Sequence, residues 1–349
     1  MFKLEQKAYA AVQTLLTSTI STHAAVAAVL DGTTTGSIWV DDRKTPAVAL
    51  VEGGGGFFLA GAADRRRSFA PLRKRIPAWA YLFPEAQWTA VLGEIWANRF
   101  ARPHARVRLG LEPGASAPRC PGLPEGFRLA PVDAALLQAS PCNIDAVAEV
   151  IDGWRSPELF LSRGIGFCVL QGDRIVSHCL SDNVTGNRCE LGVGTEPEFR
   201  RLGLGRAAAA AAVAESLRRG ITGIEWHSHA SNKGSIAIAR GVGLVELDRH
   251  VAFSGSLPAE NVGDLDLATC LDWARHLDEA ALEIGWYGFH AAGAWALAGD
   301  RARALASLRR LVEDGWDGEA EWLEDHWALA SLRGDEGFES IVAAQRQAA

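Results

Sequence analysis

The stretch that most constrains this chain is Cys189–Gly220, CELGVGTEPEFRRLGLGRAAAAAAVAESLRRG. Cys189–Thr195 reads as a strand and Pro197 marks a turn. The loop Arg200-Arg201-Leu202-Gly203-Leu204-Gly205 follows, and then an Ala-rich helix over Gly205–Arg219 that stops at Gly220. Glycines 203 and 205 let the main chain turn tightly with its N–H groups pointing inward. A helix that begins there has N–H groups without internal acceptors and the positive end of its dipole at the loop. Such a corner favours a pyrophosphate. A strand, an anion-binding loop and a helix in that order demand an α/β fold.

Other glycine loops fit less well. The P-loop pattern G-x-x-x-x-G-K-[ST] does not occur. Gly203-Leu204-Gly205 followed by Ala208 is a loose dinucleotide fingerprint. The acidic residue that should end the next strand is replaced by Trp226-His227, and no further parallel βαβ run follows.

The chain has 349 residues, room for two or three domains. Before the loop, residues 4–30 read as a helix. Strands are expected at Ser37–Val40, Ala47–Glu52 and Phe57–Ala60, and a helix at 79–100 with Trp88, Val91, Leu92, Ile95 and Trp96 on one side. Basic residues cluster at 65–75 and 99–108. Prolines 113, 118, 121 and 124 mark 110–126 as a Pro-rich segment, with a linker at 116–126 between an N-terminal α/β domain (1–115) and a second domain (127–257). That second domain opens with a strand at Phe127–Ala130 and helices at 133–138 and 143–151. A hairpin follows, Phe167–Gln171 and Arg174–Ser181 turning at Gly172-Asp173. After the loop helix come a strand at Ile224–His227, a helix at Ser231–Gly241 and a closing strand at Leu244–Phe253. Residues 264–349 read as all-helical. Trp286–Ala298 and Arg301–Asp314 form a helix pair about Gly299-Asp300 that resembles one tetratricopeptide unit, though a helical cap on the core is an equal reading.

Net charge is −7, so no nucleic-acid partner is expected. From Asp264 onward seven Lys and Arg face 17 Asp and Glu, which fits a solvated helical surface or a protein partner for the helical region. The six cysteines show no C-x-x-C or zinc-site spacing and suit a reducing compartment. Glu5, Gln6 and Lys7 interrupt any signal-peptide core, and no apolar run has transmembrane length. A cytoplasmic protein without a membrane partner is expected.

The R-x-x-G-x-G loop after a strand and a Thr-x-Pro turn is similar to the GNAT (GCN5-related) N-acetyltransferase pattern. A second block strengthens the resemblance: Trp226-His227-Ser228-His229, then Asn232, then the helix ending Gly241-Val242-Gly243-Leu244. The run Gly164 to Glu190 and residues 36–61 look like a bacterial GNAT subgroup with an extra N-terminal domain, so the match spans roughly 20–255. The resemblance implies an acyl-CoA N-acyltransferase core, with acetyl-CoA as cofactor and a small-molecule or peptide amine as acceptor. It implies that the main chain of Leu191, Gly192, Val193 and Thr195 pairs with the pantetheine arm. Arg200, Arg201, Leu202, Gly203, Leu204, Gly205 and Arg206 would hold the pyrophosphate, and Asn232 and Ser235 would lie near the cofactor arm and its thiol. Gly192 and Gly194 fit a place where a ligand approaches the main chain closely.

Attack by an amine needs a base for its proton. Glu190 and His227 are candidates, with His178 and His229 behind them. The family's usual acid, a Tyr in the helix after the Asn, is Ala239 here, which leaves Ser235 as the stand-in donor. Cys189 lacks an arguable Cys-His arrangement, and no G-x-S-x-G elbow exists for a Ser-His-Asp site. The competing expectations are an acetyl-CoA-binding regulatory protein with a helical partner-binding tail and a helical-repeat adaptor that binds no cofactor.

Overall fold

The structure, a computed structural model, describes residues 1–64, 69–77, 80–95 and 101–348. Residues 65–68 of the basic cluster, and Trp79 and 96–100 of the expected helix at 79–100, lie outside the described residues. The chain divides into two compact units. The first takes Met1–Arg67, Leu82–Thr89 and Arg106–Val251; the second takes Ser68–Tyr81, Ala90–Ala105 and Ala252–Ala349.

Twelve strands are seen among the described residues. They are β1 (Phe2–Lys3), β2 (Ser37–Val40), β3 (Val48–Gly53), β4 (Gly56–Gly61), β5 (Leu82–Pro84), β6 (Arg102–Gly110), β7 (Phe127–Pro131), β8 (Gly166–Gln171), β9 (Arg174–Thr185), β10 (Arg188–Thr195), β11 (Gly223–His229) and β12 (Val245–Ser254). They join one sheet in the order β1-β2-β3-β4-β5-β12-β6-β11-β10-β9-β8-β7. Strands from both sides of the Pro-rich segment therefore share it, and 111–126 itself carries neither helix nor strand. The helices are α1 (Thr17–Thr22), α2 (Ala24–Asp31), α3 (Ala70–Arg75), α4 (Leu92–Ile95), α5 (Ala134–Ala139), α6 (Asp145–Asp152), α7 (Pro157–Arg163), α8 (Leu204–Arg218), α9 (Lys233–Gly241), α10 (Leu267–Ala280), α11 (Tyr287–Leu297), α12 (Arg301–Glu313), α13 (Ala320–Asp325) and α14 (Glu336–Ala348). The result is a mixed α/β molecule with a helical C-terminal region.

Helix α8 packs across β8, β9 and β10. Its Ala207, Ala208, Ala209, Ala210 and Ala212 are buried, and their small side chains let the helix lie close on the sheet. Val107, Leu109, Leu170, Leu191 and Trp226 belong to the core beneath.

Three local expectations change. The helix expected over 4–30 is broken. A 3₁₀ turn covers Gln6–Val12, and α1 ends where His23 adopts an extended conformation (φ −135°). Hydroxyls of Thr17, Ser21 and Thr22 donate to carbonyls three or four residues earlier, which loosens the helical ladder. The Ala24 N–H, which starts α2, donates to Glu225 Oε2 at 3.1 Å. The helix expected at 79–100 resolves into β5, a 3₁₀ turn at Ala86–Val91 and the short α4. The basic cluster at 99–108 contains most of β6, whose Val107 and Leu109 alternate inward between arginines; Glu225↔Gly110 through His229↔Arg106 set its register with β11.

The second unit has its own core. Helix α10 packs on α11, α11 on α12, and α12 and α13 on α14. Trp273, Tyr287, Trp295, Leu308, Leu329 and Phe338 are among its buried residues. Asp278 ties three of its helices together: Trp295 Nε1 donates to it at 2.6 Å, Ser307 Oγ at 2.8 Å and Arg310 at 3.2 Å.

Candidate functional site

The site starts with two strands that part. Strands β10 and β11 run parallel and pair through Arg188↔Gly223, Cys189↔Ile224 and Glu190↔Glu225. Beyond that point β10 continues to Thr195 on β9 and β11 continues to His229 on β6. The facing edges of 191–195 and 226–229 therefore border a gap. Alternate main-chain groups of β10 point into it, where an extended ligand adds as a further strand.

The glycine loop closes the far end of β10. Arg201 (φ 68°) and Gly203 (φ 82°) both occupy the left-handed region, costly for an arginine and free for a glycine. Gly203 is the N-cap of α8, and no side chain caps its first N–H groups. A Cβ on Gly205 would come within 3.0 Å of Thr195 Oγ1 and 3.2 Å of Ile238 Cδ1, so only glycine lets the helix start against both β10 and α9. Arg201, Leu202, Gly203 and Arg206 are exposed, whereas Leu204 and Gly205 are buried. Arg200 Nε donates to the Thr195 carbonyl at 3.2 Å and fixes the loop entry.

On α9, Asn232 Oδ1 accepts from the Ser235 N–H at 2.9 Å, an N-cap. Ser235 Oγ accepts from Trp226 Nε1 at 2.9 Å, which aims the hydroxyl from α9 toward the β11 side of the gap. Ala239 is fully buried and supplies no phenol.

At the crotch where the strands part, Glu190 accepts from Asn183 Nδ2 at 3.3 Å. The β9–β10 register slips here, so Asp182 bulges out beside it. Burial first, then the negative charge of Glu190, push the Asp182 carboxyl up to about 8. Glycines 192 and 194 have a second reason for lacking side chains. A Cβ at 192 would lie 3.2 Å from the Asp182 carboxylate, and one at 194 would lie 2.4 Å from the His178 ring.

His227 lies on the same face of β11 as Glu225, two residues earlier. Glu225 is 4% exposed and accepts from Arg188 Nε at 2.8 Å, from the Ala24 N–H, and from His227 Nε2 at 3.4 Å. Burial pushes this carboxyl up, but the His227 bond and the Arg188 charge outweigh it and hold it below the usual range. His23 stacks on His227 with ring centroids 4.9 Å apart, and His250 of β12 meets both rings. Burial, then the other two rings, holds His23 well below its ordinary value; burial and His227 bring His250 to about 4.

Of the remaining candidates, His178 is held low by burial and lines a cavity of about 320 Å³ with Asn143, Asp145, Ile175, Thr195 and Glu196. His229 is buried opposite Arg106. Cys189 is buried near Ser216, and burial pushes its thiol to about 12, so it is no nucleophile at neutral pH. Sequence reasoning missed Asp182, Asn183, Glu225, His23 and His250. Two of these carried a signal: Glu225-x-His227 and Asp248-x-His250 each put a carboxylate and an imidazole on one strand face.

A family model described as GNAT acetyltransferase matches residues 14–253. An uncharacterized N-acetyltransferase of Bacillus subtilis, YdfB, is 26% identical over 236 residues, covering 65% of this chain and 88% of that protein. Among solved structures, a GCN5-related N-acetyltransferase-like protein from Streptococcus suis superposes with a TM-score of 0.57 at 24% identity, covering 71% of this chain and 98% of that one. A Drosophila protein gives a TM-score of 0.50 at 12% identity, over 72% of this chain and 97% of its own. At these identities the two structures speak to the fold alone. No helix among the described residues is long and apolar enough to cross a membrane.

Proposed function

This chain belongs to the GNAT acetyltransferase family, and from that premise we propose that it is an acyltransferase moving an acetyl group from acetyl-CoA to an amine of a small molecule or peptide. The observation that carries the reading is the parting of β10 from β11 beside an uncapped helix N-terminus. The residues fit the cofactor: the gap leaves main-chain groups of Leu191, Gly192, Val193 and Thr195 for a pantetheine arm. The N–H groups from Arg201 to Arg206 suit a diphosphate, with Arg200 holding the loop and Asn232 setting the start of α9. When bound, acetyl-CoA supplies an activated thioester carbonyl.

The protein's part is then to orient and to move protons. Glu190, held by Asn183, takes the proton from the acceptor ammonium so that the neutral amine attacks. His227 is a second acceptor for that proton, backed by Glu225. Ser235, its oxygen already engaged by Trp226, keeps its O–H to donate to the leaving sulfur. The six cysteines are all free, which supports a reducing, cytoplasmic setting.

The buried Ala239, where the family's usual tyrosine would stand, favours a second reading: an acetyl-CoA-binding regulatory protein with the helical region as partner module. Steady-state release of free thiol from acetyl-CoA across an amine panel separates the two. Acetyl transfer requires thiol release stimulated by at least one amine. Tight acetyl-CoA binding with no amine-stimulated release would leave the regulatory reading in its place.

A further inference from the structure

We propose that His23, His227 and His250 form a binding site for a divalent first-row transition metal of the zinc class, with an open fourth position. The inference does not rest on the cofactor reading; His227 is common to both, and with a metal on its Nδ1 the acceptor's proton falls to Glu190 alone. The three residues come from the α1–α2 break, β11 and β12, and one ring nitrogen from each lies within 4.8 Å of the other two. Convergence of three imidazoles from three separate elements is what a metal asks for, and mixed nitrogen sites of this kind take zinc, cobalt or copper.

The outer groups assign the ligand atoms. His227 Nε2 faces Glu225 Oε2 at 3.4 Å, and His250 Nδ1 faces Asp248 Oδ1 at 3.6 Å. A metal-bound histidine donates its other ring N–H to such a carboxylate, which fixes the tautomer. That leaves His227 Nδ1 and His250 Nε2 as the ligand nitrogens. The His250 Nε2 atom is buried and has no hydrogen-bond partner among the described residues. A buried ring nitrogen without a partner is costly, and a metal would satisfy it. His23 completes the set; its imidazole rests against Phe58 and Phe83 and takes no hydrogen bond among the described residues.

Nearby cations are largely compensated. Arg108 is paired with Asp248 at 2.5 Å, and Arg188 is bonded to Glu225; Arg106 also stands near His23 and His250. A tetrahedral site with metal–nitrogen bonds near 2.0–2.1 Å needs nitrogens about 3.3 Å apart, so the rings close by roughly an ångström on binding. With three protein ligands, the fourth corner is left to water.

Titration of the full chain with cobalt(II) chloride tests this. One equivalent is expected to bind with the intense visible bands of a tetrahedral nitrogen/oxygen site and no thiolate charge-transfer band. Ring protons of three histidines should shift far outside their ordinary range in the wild type. His23→Ala and His250→Ala should each weaken binding on the order of a hundredfold, and Asp248→Asn about tenfold, with circular dichroism reporting whether each variant is folded. Absence of saturable one-to-one binding in the wild type would overturn the site. So would a thiolate band, fewer than three shifted histidines, or undiminished binding in a folded His250→Ala variant.

Discussion

The two ends of β10 make different kinds of site. At the Thr195 end the work falls to the main chain: Arg201 and Gly203 turn back with positive φ, and α8 begins uncapped against Thr195. At the Glu190 end it falls to side chains delivered by separate strands, with Asn183 and Asp182 from β9, Glu190 from β10, and Glu225 and His227 from β11. A main-chain site is written in contiguous residues because only certain residues tolerate its dihedrals. A side-chain site is assembled by topology, and its contiguous trace is limited to short pairs such as Glu225-x-His227.

That contrast orders the expected effects. The largest falls at the Glu190 end, where an isosteric change removes function. Glu190→Gln should lower kcat on the order of 10²–10⁴-fold while leaving acetyl-CoA affinity within about twofold, as single-turnover and equilibrium binding measurements would read. An unchanged kcat would move the base elsewhere, to His227 first.

A smaller effect tests whether burial alone makes a site. His290 in the helical unit is pushed down to about 3 by burial and then by His326, and His326 itself to about 4. The unfolded chain takes up these protons near 6.5, whereas the folded unit does not until far lower pH. Their contribution to stability is thus present at pH 7 and is lost as pH falls through 6.5 toward 3. At pH 5 each should have cost about 2 kcal/mol. Urea unfolding at pH 7 and pH 5 should show the loss, and His290→Gln should remove about half of it. A loss of equal size in that variant would mean that other groups carry it.

How much was legible in the sequence follows the same division. The loop, α8, the hairpin β8–β9, Asn232 and the helix pair α11–α12 were readable because glycine, proline and capping residues punctuate them locally. Strand β6 was hidden because Arg102, Arg106 and Arg108 read as a surface cluster until β11 and β12 flank it. His23 was hidden more deeply. It lies in a run of Ala and Thr with helical spacing, and the break there coincides with a hydrogen bond from the N–H of the next residue, Ala24, to Glu225, distant in sequence. Asp182 is singled out only by a register slip between neighbouring strands, which no single-strand pattern encodes.

Calorimetry with acetyl-CoA on the wild type and on Gly203→Glu bears most directly on the main-chain site. At position 203 a glutamate adds both a side chain to a left-handed backbone and a negative charge to the N-terminus of α8. One acetyl-CoA per wild-type chain is expected, with binding at least about a hundredfold weaker in the folded variant, near 2.7 kcal/mol. No binding to the wild type, or equal binding to both, would contradict the account.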